Sequence, residues 1–425
     1  MDITALAKKA QAMSAEAFAR IEEIAEYNTR RVADAFRECR ITLNHFAPST
    51  GYGYDDVGRD KLDALYAAAF GCEDALVRPN IINGTHALCL MLKGILPQSG
   101  GKLLSITGAP YDTLTETIGT MEASGRLTFT QVPFTGTPDE GYIEAVKTAI
   151  AEIKPHVVYI QRSKGYGDRV TLSNLDIRRL TFLAKSILPG VIVALDNCYG
   201  EFCEAGEPFG SAPDGFTGER AALLPLDCEE APCDVAAGSL IKNPGGGIAP
   251  CGGYIAGRHD LVEQVAEELT VPGIGREAGC NPDGWRLYFQ GFFLAPHTVS
   301  QALKTSVFAA NLLTLAGFEA SPKGDEPRCD IIQTIRFGDP KPLISFCRGI
   351  QSFSPVDSHL TCEPWAMPGY TSEVIMAAGA FVQGSSIELS CDAPIREPYL
   401  LYLQGGLTYE SGKYAITQAV ANAIQ

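Results

Sequence analysis

No Cys-x-x-Cys pair occurs in this chain of 425 residues, although 13 cysteines are scattered between Cys39 and Cys391. With only six histidines to complete a ligand set, no metal site is expected. The thiols read as small buried hydrophobes of a reducing compartment. Basic residues are outnumbered, 34 against 50, giving a net charge of −16. Such a surface repels phosphate backbones and anionic headgroups, so neither nucleic acid nor membrane is an expected partner. The amino terminus, Met1-Asp2-Ile3-Thr4-Ala5, lacks the basic patch, apolar run and small-residue cleavage site of a secretory signal. Apolar runs such as Leu183–Leu195 are broken by Lys185 and Pro189, short of the ~18 residues a membrane span needs. A cytoplasmic protein is expected. Internal repeats and low-complexity tracts are also missing. With 46% hydrophobic and 20% charged residues, disorder, collagen and coiled coil are excluded in favour of a globular protein of two or three domains.

Residues 14–37 have the spacing of an amphipathic helix, with Phe18, Ile21, Ala25, Val32 and Phe36 on one face and Ser14 placed to cap it. Its apolar face needs cover, which a neighbouring subunit would supply. The turn-rich stretch Ser49–Asp56 reads as a loop. From about residue 60, helical segments alternate with short apolar strands at Ala75–Pro79, Leu103–Thr107, Val157–Gln161, Val191–Asp196 and Gly253–Ala256. That alternation predicts an α/β domain with a mainly parallel sheet between helix layers. Residues 204–232, rich in Gly, Pro, Asp and Glu, read as an inserted surface loop. A periodic helix over Thr298–Leu315 and short strands at Ile331–Arg336 and Ser386–Ser390 predict a smaller α+β domain. The expected division is an N-terminal helix and arm over 1–60, a large α/β domain over 61–296, and a small domain over 297–425.

Three segments carry chemistry. In Ala236-Ala237-Gly238-Ser239-Leu240-Ile241-Lys242-Asn243-Pro244-Gly245-Gly246-Gly247, a lysine flanked by small residues, then three glycines, makes a poor core element and a poor solvated face. Crowding backbone would desolvate the amine and lower its pKa, as Schiff-base chemistry requires; the alternative is a surface lysine before a turn. In Asn83-Gly84-Thr85-His86, small and hydroxyl residues begin an apolar helical run. Such a helix start offers free N–H groups to an anion, or is simply capped by Asn83 or Thr85. Finally, Val191–Asp196 ends a buried strand on a carboxylate at the crevice where ligands of open α/β sheets bind. Something positive should meet that charge, unless Asp196 merely closes an Asx turn.

Pyridoxal phosphate needs all three: an amine to join its aldehyde, a helix start for its phosphate, and a carboxylate to keep its ring nitrogen protonated. The order and content of Gly84-Thr85-His86, Asp196-Asn197-Cys198-Tyr199 and Ser239-Leu240-Ile241-Lys242 resemble the fold type I pyridoxal-phosphate enzymes, specifically the cystathionine β-lyase and methionine γ-lyase group. Gly51–Asp60 and Ser239–Gly247 are similar to its bacterial branch labelled aluminium-resistance proteins. The resemblance covers about residues 20–420 apart from 204–232. It implies a seven-stranded, mainly parallel sheet in the large domain, and a carbon–sulfur lyase acting on a cystathionine- or methionine-like amino acid by β- or γ-elimination.

It also implies roles. Lys242 would hold the cofactor and move the Cα proton, Asp196 would pair with the ring nitrogen, and Gly84, Thr85, His86 and Ser239 would surround the phosphate. Tyr111 would stack on the ring, or else simply pack after Pro110, while Tyr199 and Gln161 would reach its 3-hydroxyl edge. Tyr54 and Arg59 would close a partner's phosphate pocket in a homodimer or homotetramer, the alternative for Arg59 being a solvated surface turn. Arg396 would grip the substrate carboxylate, with an ion pair to Glu397 as the alternative. Ile241 stands where the elimination enzymes usually carry threonine, and Gln161–Tyr166 replaces an asparagine-containing stretch. An aminotransferase, a carbon–carbon lyase or a non-catalytic cofactor carrier would use the same set. A serine hydrolase built on Ser239 and Lys242 is disfavoured, because neither Ser-Asp-Asn nor Lys-Thr-Gly occurs.

Overall fold

In the computed structural model, which describes residues 2–136, 138–167, 169–210, 224–367 and 372–425, the short apolar runs become strands buried on both faces. Seven of them form the large sheet: β1 (Asp74–Arg78), β2 (Gly101–Ser105), β3 (Leu127–Gln131), β4 (Val157–Gln161), β5 (Ile192–Asp196), β6 (Val235–Ser239) and β7 (Gly253–Gly257). Their order is β1-β7-β6-β5-β4-β2-β3, and only β7 runs against its neighbours. Along β4 the side chains alternate: Val157 and Tyr159 enter one core, Val158 and Ile160 the other. This period of two, with both faces apolar, is what a sheet sandwiched between helices requires.

The helices are α1 (Ile3–Met13), α2 (Ala15–Glu38), α3 (Val57–Phe70), α4 (Gly84–Ile95), α5 (Asp112–Ala123), α6 (Glu140–Ile153), α7 (Asn174–Ile187), α8 (His259–Leu269), α9 (Arg286–Leu315), α10 (Pro340–Ser352) and α11 (Tyr409–Ala423). Helices α4, α5 and α8 cover one face of the sheet, while α2, α3, α6, α7 and α9 contribute to the core on the other. A second, antiparallel sheet of β8 (Glu319–Ser321), β9 (Ile332–Arg336), β10 (Val374–Ala378), β11 (Ser390–Pro394) and β12 (Leu400–Gln404) has the order β10-β11-β12-β9-β8. It shares a core with α1, α10, α11 and the end of α9. The expected α/β architecture, a seven-stranded sheet with a smaller α+β unit, is therefore what the chain forms. None of the helices in the described residues is long and apolar enough to cross a membrane.

Several expectations are corrected. Ser14 does not cap α2: its hydroxyl donates to Ala10 O at 2.8 Å, and a separate helix, α1, precedes it. The apolar face of α2 is covered within its own chain, where Ala17, Ile21 and Val32 share a core with Phe289, Phe292 and Leu303. The segment 236–239, expected to be a poor core element, is the fully buried strand β6. Its residues are small because its neighbours press close: a Cβ on Gly238 would stand 2.5 Å from both Glu201 Oε1 and the Tyr254 ring. The second strand of the small unit lies at 390–394 rather than 386–390, because Glu388 accepts from the Phe381 and Val382 N–H groups, both at 2.9 Å, and turns the chain there.

The 204–232 segment is buried at its start, whereas 227–232 are mostly exposed and fit a surface loop. Glu204, Ala205, Glu207, Phe209 and Leu224 are buried, while 211–223 lie outside the described residues. Arg162 Nη2 to Glu204 at 2.5 Å and Arg31 Nη2 to Glu207 at 3.3 Å hold the acids inside. Position 296/297, the expected domain boundary, falls within α9, which continues through Pro296.

Candidate functional site

The C-terminal ends of β4, β5 and β6 lie side by side, with Gln161 in register with Asp196 and Asp196 with Ala237. Beyond them opens a cavity of about 470 Å³, closed on other sides by the start of α4, the start of α5 and the Gln383–Gly384 turn. Gly84, Thr85, Tyr111, Gln161, Asp196, Tyr199, Ser239 and Lys242 all line it.

Asp196 reaches this cavity as the last residue of β5 and is buried. Its Oδ1 accepts from Cys198 N–H at 3.1 Å and its Oδ2 from the Tyr159 hydroxyl at 3.3 Å. Burial raises its pKa, opposed by the Lys242 charge and by these donors. The carboxylate thus meets neutral donors at hydrogen-bond distance, with the Lys242 charge acting from further away.

Lys242 follows β6 just before the 3₁₀ turn Asn243–Gly245, and its Nζ lies 3.8 Å from the centroid of the Tyr199 ring. The expected depressed amine is not found. Burial does lower its pKa, but Tyr199, Cys198 and Asp196 outweigh that and leave it raised. Tyr199 is held with φ at 74° by Asn243, whose Nδ2 donates to Tyr199 O at 3.0 Å, and its hydroxyl lies 3.4 Å from Ser386 Oγ.

Helix α4 opens with Gly84, and the Asn83 side chain accepts from His86 N–H at 2.8 Å, so capping and an open helix start coexist. The amides of Gly84 and Thr85 sit at the first helical positions, which lack intrahelical acceptors. A Cβ on Gly84 would stand 3.1 Å from Cys198 Sγ and 3.4 Å from Ser239 Cβ, so the glycine brings this helix start against the strand ends. Ser239 Oγ is buried and has no hydrogen-bond partner among the described residues.

The remaining expected residues have the following places. His86 does not line the cavity; its Nδ1 accepts from Ile82 N–H at 3.2 Å, and burial lowers its pKa. Both ends of the Gln161 amide are engaged: Oε1 accepts from Tyr111 N–H at 2.8 Å and Nε2 donates to Ser163 O at 2.9 Å. Gln161 therefore orients the Tyr111 backbone while also lining the cavity. Arg59 is neither solvated nor in the cavity; it is buried, donating to Gly53 O and Glu277 O at 2.9 Å each and to Asp60 Oδ1 at 2.9 Å. Tyr54 is 57% exposed and stacked on Tyr52 with centroids 5.3 Å apart. Arg396 is exposed after β11, outside the cavity lining, and its charge opposes the upward shift that burial causes at Asp112, in the first turn of α5.

Cys198, Thr113, Ser163, Gln383 and Gly384 also line the cavity and were not expected. Cys198 adjoins Asp196 in sequence, and Thr113 follows Tyr111, pairing with Thr85 through hydroxyls 2.8 Å apart. Nothing local marks Gln383 and Gly384, which arrive from the other sheet. All 13 cysteines are free thiols. At the surface, Asp74, His259 and Glu263 bring possible ligand atoms within 4.8 Å of one another, but Arg276 bridges both carboxylates, at 2.8 and 2.7 Å.

These residues fit pyridoxal phosphate on their own chemistry. Ser239 Oγ and the first amides of α4 are unsatisfied donors for a phosphate, Asp196 is a buried acceptor for a ring N–H, and Lys242 is the amine beside both.

A family model described as methionine gamma-lyase matches residues 3–220 and 225–424. Protein YnbB of Bacillus subtilis is 47% identical over 411 residues, 95% of this chain and 92% of its own. A crystal structure of a carbon-sulfur lyase involved in aluminum resistance from Clostridium novyi is 44% identical, with a TM-score of 0.88 over 99% of this chain and 95% of that one. Cystathionine gamma synthase from Xanthomonas oryzae, at 15% identity and a TM-score of 0.58, shares the fold over 94% of this chain and 98% of its own.

Proposed function

This chain belongs to the methionine gamma-lyase family, and we propose that it is a pyridoxal-phosphate-dependent carbon–sulfur lyase acting on a cystathionine- or methionine-like amino acid. The observation that carries the reading is the meeting, in one cavity, of an unsatisfied Ser239 hydroxyl, a buried Asp196 carboxylate without a hydrogen-bonding cation, and the Lys242 amine.

Ser239 Oγ with the Gly84 and Thr85 amides would hold the phosphate, Asp196 the ring nitrogen and Lys242 the aldehyde carbon. Bound there, the cofactor supplies an electron sink for a carbanion at the substrate Cα. Tyr111, fixed by Gln161, presents its ring at the cavity wall and sets the tilt of a planar ligand. Lys242 Nζ, over the Tyr199 ring and lining the cavity, takes the Cα proton and returns one later. The C–S bond breaks with its electron pair on sulfur, which leaves as a thiol once protonated. One water is consumed overall, and ammonia and a 2-oxo acid are released. Arg396, whose charge acts on Asp112 in the first turn of α5, is assigned to the substrate carboxylate. Tyr54 and Arg59 are assigned to an interface between copies in a homo-oligomer.

The test is the visible absorption of the purified protein, with and without borohydride, followed by product analysis. A band abolished in Lys242→Ala, with pyruvate from cystathionine or 2-oxobutyrate from methionine, supports the reading. Conversion of an added oxo acid to an amino acid would make it an aminotransferase instead, and a band with no exchange of the substrate Cα proton would make it a carrier.

A further inference from the structure

Behind the cavity wall the chain leaves β4 and folds back on itself: Arg162 N–H donates to Asp196 O at 3.1 Å, Leu172 N–H to Arg162 O at 3.2 Å, and Val170 N–H to Gly136 O at 3.1 Å. Inside this fold-back sits Arg169, buried, with its guanidinium 5.2 Å from the centroid of the Phe134 ring. Among the described residues its hydrogen bonds go to backbone carbonyls. Nη2 donates to Gln161 O at 2.8 Å and Ser163 O at 2.6 Å, and Nη1 to Val170 O at 2.9 Å and Arg162 O at 3.4 Å. Arg162, seven residues earlier, is instead neutralised by Glu204 at 2.5 Å. Burial pulls the Arg169 pKa down to about 10, so the site bears a real desolvation cost.

That cost is spent on the end of one strand. Gln161 and Ser163, two of the residues whose carbonyls the fork collects, both line the cavity. Ser163 O is a node shared by Arg169 Nη2 and Gln161 Nε2, and the other end of the Gln161 amide accepts Tyr111 N–H. Thus the fork fixes the turn, the turn fixes the Gln161 amide, and the amide fixes the first turn of α5 with Tyr111 at its N-cap. We propose that Arg169 is a positioning residue that sets Tyr111 against the cavity through the Gln161 side chain, without itself touching a ligand. A lysine cannot substitute, because one ammonium lacks the planar fork needed to hold carbonyls on two sides.

The inference rests on the lyase reading only for its catalytic consequence. Its structural half is tested by hydrogen exchange of the 108–115 segment in the cofactor-free chain, for wild type, R169K, Q161M and the double variant. Loss of one hydrogen bond should speed exchange there by roughly fivefold in either single variant, with the double variant no faster than the faster single one. An R169K or Q161M rate equal to wild type, or additive effects in the double variant, overturns the proposal. Should R169K not fold, R169Q, which keeps a planar donor group, takes its place. In the loaded enzyme, R169K should lower kcat while cofactor content and KM stay as in wild type; a change in KM alone would overturn the positioning role. Absence of lyase products with the exchange pattern intact would instead sink the lyase reading.

Discussion

Lys242 Nζ lies over the face of Tyr199, 3.8 Å from the ring centroid. The phenol, together with Cys198 and Asp196, more than offsets the lowering that burial imposes on the amine, whose pKa ends above its ordinary value. An amine must be neutral to attack an aldehyde, so capture of pyridoxal phosphate by the cofactor-free chain should speed up as pH rises through the alkaline range. Removing the Tyr199 contribution lowers the lysine pKa. Tyr199→Phe should therefore shift the rate–pH curve to lower pH, measured by stopped-flow absorbance.

Asp196 has its pKa raised by burial. An acid whose native pKa is raised favours the folded state below its unfolded value, and that contribution is lost as pH rises through the native value. The ionised form of the group is therefore a burden on the cofactor-free chain. Asp196→Asn should raise the thermal midpoint of that chain, yet lower kcat of the loaded enzyme by about 100-fold or more, the scale on which removal of a preorganised charge acts. A midpoint that falls in the cofactor-free Asn variant would contradict this account of the site.

Ser239 Oγ has no partner among the described residues, so Ser239→Ala removes no hydrogen bond seen in the cofactor-free chain. Its melting temperature should stay close to wild type. Affinity for pyridoxal phosphate, by equilibrium dialysis, should drop by roughly tenfold, as expected for one charge-assisted hydrogen bond.

Glu201, behind the cavity, is pushed by burial from 4.5 up to about 8, although Tyr254 donates to it at 2.8 Å. Its raised value favours the fold fully below about 4.5 and ceases to do so as pH climbs through about 8. Urea unfolding should show stability declining across that window in wild type, and a flatter profile in Glu201→Gln.

Much of the cavity was readable from local pattern. A strand ending on Asp196, a helix opening at Gly84-Thr85 and a lysine before glycines are short-range signals, and the chain brings all of them together beyond the C-terminal ends of the central strands. What could not be read depends on partners far away in sequence. Glu201, Glu204 and Glu207 look like a solvated acidic stretch until Arg162, Arg31 and Tyr254 are seen beside them. The strand β6 looks unlike a core element because its smallness is dictated by Glu201 and Tyr254 across the gap. Gln161 was read by position alone, whereas its amide is committed to Tyr111 and Ser163. Gln383 and Gly384 depend on a turn tied by Glu388, which no periodicity announces.

Helix α9 passes from one core to the other without interruption: Phe292, Ala295 and Val299 pack with the large sheet, Phe308, Leu312 and Leu313 with the small one. A cut at its midpoint would bare apolar surface on both halves at once, so neither half is a separable fragment. With one helix built into both cores, the two sheets are expected to melt together in a single cooperative step.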